Sequence, residues 1–483
     1  MILDQHLNWK AHITYTKAKG TQALNLLKKL SHTTWGAKRD TMLMLYKATV
    51  LSILEYGCPI YASASENTLN NLNPVHNSGL RLCTGAFKSS PVESLTIESG
   101  EMPLKYRRDI VTMKRALKII NGTSSAKETF NRNDTFLNSG NVPSFPMRAN
   151  RLLEQHNLIN INLIPVNDHP PPWTIKKPQI CNKLNYLKKK MNNPEYLRQH
   201  TLEHIRRKGP HNELYTDGSK SDDKVGSAAI YQNEKVLISL PKNASVFTAE
   251  LIAIQTAIRI ISTKNENKFV IYSDSRSSIE AIQKYASKHE LIIQIQTSLQ
   301  ELTENRKEIE ICWIPAHVGV QGNEDADKAA KEASSLIINN DNLPINDWLV
   351  TIKPKIMQKW QEAWISDQSI NKLKQIKETV YPWSTSLQKF RHQETILTRL
   401  RIGHSRLTHG HLMSTPHGNR PQCLTCNTLI TIKHILTECP KYRIQRQTYL
   451  RNGSLKEILS ENKKFSAFSI FNFLKKCNLI NEI

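Results

Sequence analysis

Four acidic side chains stand in short motifs suited to binding hard cations: Asp217 in YTDGS, Glu250 in TAEL, Asp274 in YSDS and Asp327 in NEDADKAA. Grouped carboxylates repel one another, so a fold that gathers them must neutralise them with a cation or keep some protonated. An all-oxygen set favours Mg²⁺, with Mn²⁺ as a substitute. Two such ions roughly 3.5–4 Å apart can activate a water and stabilise the leaving oxygen of a phosphodiester, so hydrolytic phosphoryl chemistry is the expectation. Singly, each acid has a plainer reading: Asp217 as a turn former, Glu250 as a favourable charge in the first turn of a helix. Their joint placement carries the functional reading. A second constellation, Cys423, Cys426, His434 and Cys439, has the form C-x2-C-x7-H-x4-C. Four soft or borderline ligands at that spacing suit a closed tetrahedral Zn²⁺ site with a structural or nucleic-acid-binding role; scattered core cysteines with a chance histidine are the alternative.

The elements that must position the acids can be read from periodicity. ELYTDGS predicts a short strand ending in a turn, and KVGSAAIYQ and KVLISLP predict strands joined as a hairpin near Asn233 and Glu234. FTAELIAIQTAIRIIS is an amphipathic helix with Leu251, Ile254, Ile258 and Ile261 on one face. KFVIYSDS predicts a buried strand, SSIEAIQKYA a helix, and HELIIQIQTSLQELTEN a second helix striped by Leu291, Ile295, Leu299 and Leu302. IEICWIPAH and NEDADKAAKEASSL supply a last strand and helix. This order implies an α/β fold, a mixed five-stranded sheet covered by helices. It puts Asp217 and Asp274 at strand ends, Glu250 in a first helical turn and Asp327 early in the last helix, all converging on one sheet edge.

In this order, YTDGS, TAEL, YSDS and WIPAHVGVQGNEDADKAA resemble type 1 ribonuclease H, most closely the version carried by non-LTR (jockey-like) retrotransposons. The resemblance covers roughly residues 211–336, about a quarter of the chain. Within H-x5-N-E-x2-D, the matching residues are His317, Asn323, Glu324 and Asp327, which selects Asp327 over Asp325. The resemblance implies a ribonuclease H-like fold and endonucleolytic cleavage of the RNA strand of RNA·DNA hybrids with two magnesium ions. Asp217 would bridge both ions, Glu250 and Asp274 would favour one, Asp327 would complete the other, and His317 would shuttle protons or help product leave. An imidazole titrating near neutrality suits a proton carrier on a mobile loop, with Gly319 and Gly322 supplying the mobility. Cellular relatives carry Asn and Thr side chains just upstream of the helix Glu to contact the hybrid, whereas this chain has Ser245, Val246, Phe247 and Thr248. It also lacks a basic, Trp-rich helix between Ile279 and Leu302. A catalytically silent or domesticated nucleic-acid-binding protein on the same fold is the alternative function. Exonucleases of the superfamily need a second acid where Ser219 stands, and transposase-type enzymes need no Glu in the helix after the third strand.

At 483 residues the chain has room for two to four domains. Its 66 Lys plus Arg against 42 Asp plus Glu leave +24, which argues for polyanionic partners: RNA·DNA hybrid, RNA and DNA rather than a membrane. Residues 211–335 hold 14 Lys plus Arg and 18 Asp plus Glu, a net of −4, so the remaining residues carry +28. No apolar run of about 18 residues and no secretion signal is read from the sequence, and eight cysteines in so long a chain make no disulfide framework. The expectation is a reducing, intracellular setting, nucleus or cytoplasm. Residues 1–120 read as packed helices resembling the segment after a reverse transcriptase palm (ILDQHLNWKAHI, LYKATVLSILEYGCPIY, LNPVHNSGLRLCTGAF), without a Tyr/Phe-x-Asp-Asp motif. Met1 is then expected to be an internal methionine of a longer ancestral frame. Residues 121–210 read as a basic, Pro-rich linker with a short helix or two, and 337–483 as a helical region bearing the zinc knuckle at 423–439. Within the last, FRHQETILTRLRIGHSRLTHGHL interleaves Arg and His with apolar residues, as a phosphate-gripping helix or a solvated face would.

Overall fold

Strand β2 (Asn212–Ser221) runs on past the TDGS motif expected to end it, because Lys220 and Ser221 pair with Val225 and Lys224 across a tight hairpin to β3 (Lys224–Tyr231). Strand β4 (Glu234–Leu240) pairs antiparallel with β3, and β5 (Lys268–Ser273) lies parallel to β2 on its other side. Strand β6 (Glu308–Trp313) runs parallel to β5. These are details of a computed structural model, which describes all residues except 7, 123–126, 129, 131–142, 166–172, 175, 187–192, 285–286, 369–370, 414–417 and 462–465. Most of NDHPPPW and of YLKKKMNNP in the expected linker lies outside the described residues.

The mixed α/β sheet with flanking helices is present, but it has six strands, not five, in the order β1-β6-β5-β2-β3-β4. The added edge strand β1 (Gln179–Cys181) comes from the stretch read as linker and pairs parallel with β6, Cys181 opposite Cys312. A three-residue strand among Pro and Lys has no periodicity to announce it. Helix α1 (Pro194–Arg207) follows β1, with Asn193 accepting a hydrogen bond from the Glu195 amide at its start.

Helices α2 (Val246–Thr263), α3 (Arg276–Ile282), α4 (Glu290–Glu304) and α5 (Gln321–Ala333) complete the layers. Alternation along the strands sorts the core. Leu214, Val225, Ala229, Phe269 and Ile271 pack with Leu251, Ile254, Ile258, Leu291, Ile295 and Leu299 of α2 and α4 on one face. On the other, Ala228 and Ile230 meet Ala326, Ala329 and Ala330 of α5, and Val270 and Tyr272 meet Leu197 and Ile205 of α1. By length and composition α2 could cross a membrane, contrary to the reading that no such run exists; two-thirds of it (67%) is buried in the protein. It is apolar because it packs against both the sheet and α4.

The chain packs as two compact units, and the one holding the sheet comprises residues 116–133 and 153–352. The other joins residues 1–115 and 134–152 to 353–483, so stretches read as separate N- and C-terminal regions share one unit. Its helices bury Trp9, Ile13, Met42, Tyr46, Leu54, Leu72 and Leu80. Helix Arg391–Ile402 is held to the N-terminal helices by buried polar groups. The Glu394 carboxylate accepts from the Arg39 amide at 2.8 Å, and Glu98 accepts from Arg39 at 3.0 Å and from Thr398 at 3.2 Å. Arg391 donates to the carbonyls of Leu82 and Cys83, Arg399 to that of Gly85 and Arg401 to that of Leu459. Those arginines serve the protein's own backbone, so neither the phosphate-gripping reading nor the solvated-face reading holds for them.

Candidate active site

Asp217 sits in the interior of β2, not at its end, one residue beyond Thr216, the last to pair with β5. There β2 continues alone beside β3 and leaves a notch, into which the chain leaving β5 brings Asp274 directly after Ser273. The Trp313 indole donates to the Asp274 carbonyl at 3.1 Å and fixes that exit. Glu250 is the fifth residue of α2 rather than a first-turn residue, because the helix starts at Val246, capped by the Ser245 hydroxyl accepting from the Thr248 amide at 3.1 Å. The close approach of α2 to β2 depends on Gly218: a Cβ there would lie 2.5 Å from the Glu250 nitrogen. Asp327 lies in the middle of α5, not early in it.

The structure thus brings Asp217, Glu250 and Asp274 together, with one carboxylate oxygen from each within 4.8 Å of the others. Asp327 belongs to an adjoining group with His317 and Glu324, within the same mutual distance. Asp217 and Glu250 are buried, and Glu250 Oε2 has no hydrogen-bond partner among the described residues. Burial, with the charges of Asp274 and Asp327 behind it, pushes the Asp217 carboxyl up to about 7. Burial and the neighbouring Asp217 and Asp274 push Glu250 up to about 9. The Gly218 amide opposes both shifts without cancelling them. An oxygen-only cluster with an orphaned buried carboxylate oxygen and suppressed ionisation fits a hard divalent cation, which would restore the charged forms.

Three neighbours complete the surroundings. Asn323 donates from Nδ2 to Asp274 Oδ2 at 3.3 Å. Lys331, one helical turn after Asp327, lies 2.6 Å from its carboxylate and also feels Asp217 and Glu324. Glu324 accepts from the Gly319 amide at 3.2 Å, bracing the loop of His317. That loop is tight: His317 has φ 52° and Gly319 φ 83°, and the His317 side chain is exposed. Asn323 and Glu324 stand inside the sequence motif, but their orienting role shows only in three dimensions. Lys331 could have been found from its i+4 spacing to Asp327.

In the other unit, Cys423, Cys426, His434 and Cys439 form one group within 4.8 Å. Cys439 Sγ is 3.8 Å from the sulfurs of both Cys423 and Cys426. The Cys423 thiol is pulled down to about 6, first by the nearby His434 imidazole, while burial and the neighbouring sulfurs push Cys426 up to about 11. His434 Nδ1 is 3.6 Å from Glu438 Oε2, the kind of outer carboxylate contact that orients a ligating imidazole. The donor set and spacings fit a tetrahedral zinc ion.

Residues 210–335 match the family model described as RNase H. Over 118 residues the chain is 28% identical to the Pol polyprotein of Ovine maedi visna related virus (strain South Africa), an alignment covering 24% of this chain and 10% of that polyprotein. The matched segment thus spans about a tenth of the length of the curated relative.

Proposed function

We propose that the RNase H domain at residues 210–335 hydrolyses the RNA strand of RNA·DNA hybrids endonucleolytically, as part of a protein derived from a retroelement polyprotein of the non-LTR kind. The observation that carries this is the Asp217, Glu250 and Asp274 group, with its two buried carboxylates and orphaned Glu250 oxygen, beside the Asp327, Glu324 and His317 group.

Asp217 would face both ions, Glu250 and Asp274 one of them, and Asp327 the other. When bound, two Mg²⁺ ions supply the charge that lowers the pKa of a water and stabilises the departing oxygen of the phosphodiester. Asn323 holds the Asp274 carboxylate in orientation, and the Trp313 indole keeps the strand end beneath it from shifting. Lys331 neutralises Asp327, and its exposed stem lets it swing aside. His317, exposed on a braced loop next to Asp327, is placed to move a proton at the edge of the site. The Cys423, Cys426, His434 and Cys439 cluster would hold one structural zinc in the other unit.

The test is a hybrid-cleavage assay with purified chain and Mg²⁺. Wild type is expected to cut the RNA strand, and Asp217→Asn to reduce the rate by at least about 10²–10³-fold, the scale of removing one preorganised charge-stabilising group, with hybrid binding retained. Wild type that binds hybrid and never cuts it would instead identify a binding protein. For the knuckle, Cys423→Ser should remove one equivalent of zinc; an unchanged metal content refutes that site.

A further inference from the structure

A third group of ligand atoms lies in the catalytic unit, on the face of the sheet that α1 covers. Cys181 of β1, His204 of α1 and Cys312 of β6 bring Sγ, an imidazole nitrogen and Sγ within 4.8 Å of one another. Cys181 and Cys312 are register partners on adjacent parallel strands, so their side chains leave the same face side by side. His204, on the last turn of α1, places Nε2 3.2 Å from Cys181 Sγ. Both cysteines are buried and His204 is half-buried, so the group lies at the rim of the Leu197, Ile205, Val270 and Tyr272 core. Lys208, one residue past α1, lies 2.5 Å from Glu310 and sets a cation near the sulfurs.

We infer that Cys181, His204 and Cys312 form a second zinc site, with three protein ligands and solvent in the fourth tetrahedral position. The argument rests on donor chemistry and placement. Two sulfurs and an imidazole select Zn²⁺ over the hard cations expected at the carboxylates. In a tetrahedral site with Zn–S about 2.3 Å and Zn–N about 2.0–2.1 Å, neighbouring donors stand roughly 3.3–3.8 Å apart. The 3.2 Å Cys181–His204 separation is already close to that. The ligands also come from three separate elements: a three-residue edge strand, the end of a helix and an inner strand. A metal there clips β1 and α1 to the sheet. The clip reaches the candidate active site mechanically, because Arg198 of α1 donates to the Gly319 carbonyl at 3.1 Å in the loop of His317.

The test is metal content of the full chain purified under reducing conditions, in a Cys423→Ser, Cys426→Ser background, which leaves the knuckle only His434 and Cys439 and so no zinc site of its own. One zinc per chain is expected, together with a thiolate-to-metal charge-transfer band on replacing zinc by Co²⁺. Both should be lost in Cys181→Ser and in Cys312→Ser. His204→Asn keeps both sulfurs and alters a half-exposed side chain; it should weaken zinc binding at least about tenfold in competition with a chelator, with an unchanged circular dichroism spectrum. The inference is overturned if the doubly substituted background chain carries no zinc and gives no Co²⁺ band. It is equally overturned if His204→Asn binds zinc as tightly as its parent, or if Cys181 and Cys312 are recovered as a disulfide after reducing purification. None of these readouts involves cleavage, so the result is independent of the proposed nuclease activity.

Discussion

Asp217 and Glu250 are held in a state that costs the metal-free protein stability. Their carboxyls ionise at about 7 and about 9 in the fold, against ordinary values of 3.8 and 4.5. Between those limits the folded chain binds more protons than the unfolded one, so its stability falls as pH rises. In chelator, the melting temperature should therefore decline from about pH 5 towards pH 9, and Mg²⁺ should restore most of the loss above neutrality. A melting temperature in chelator that is flat over this range would show that the carboxylates are not so confined. Asp217→Asn removes one charge from the group and should raise the metal-free melting temperature by a few degrees while it removes cleavage. At this scale the sequence was informative about identity and poor about geometry. Asp217, Glu250, Asp274 and Asp327 were all legible in short motifs. The division of the acids into two adjoining groups, and the parts of Asn323 and Lys331, depend on how α5 lies on the sheet. The Cys181, His204 and Cys312 cluster was illegible because pairing across 131 positions creates it, with no spacing rule to reveal it.

At the scale of elements, the site depends on how closely α2 approaches β2. Gly218 permits that approach, since a Cβ would meet backbone atoms of Ala249 and Glu250 at 2.8 and 2.5 Å. Gly218→Ala should push the start of α2 outward, destabilise the domain by about 1–3 kcal/mol and lower cleavage more than hybrid binding. Denaturant titration and the cleavage assay check this together; a variant with wild-type stability and rate would show that α2 can shift freely. A neighbouring position, Gly226, shows the same logic on the opposite face, where a Cβ would lie 2.1 Å from the Ala330 carbonyl of α5. Most elements were legible because their patterns are strong: the buried stripe of Leu291, Ile295, Leu299 and Leu302 announces α4, and the short apolar run FVIY announces β5. What failed were ends and short pieces. TDGS reads as a turn that ends β2, which the hairpin pairing overrides, and β1 is too short to carry a pattern.

For the whole molecule, net charge is a weaker guide to binding than its total suggests. The +28 outside residues 211–335 includes Arg39, Arg391 and Arg401, all buried and engaged with the protein's own groups. Those cations cannot meet phosphate, so hybrid affinity must come from the exposed Lys and Arg that remain. Hybrid binding by the full chain should weaken by about 10³-fold or more between 50 and 200 mM salt if six phosphates are contacted. Fluorescence anisotropy across that range measures it, and a salt-independent affinity would exclude backbone neutralisation as the source of grip. The discontinuous unit also sets an order of events during synthesis. At roughly 5–20 residues per second, every strand of the six-stranded sheet exists once Trp313 has been made, whereas Arg39 and Glu98 wait on the order of ten seconds longer for Glu394 and Thr398. The sheet can thus be completed on the ribosome while the buried charges of Arg39 and Glu98 still lack their C-terminal partners.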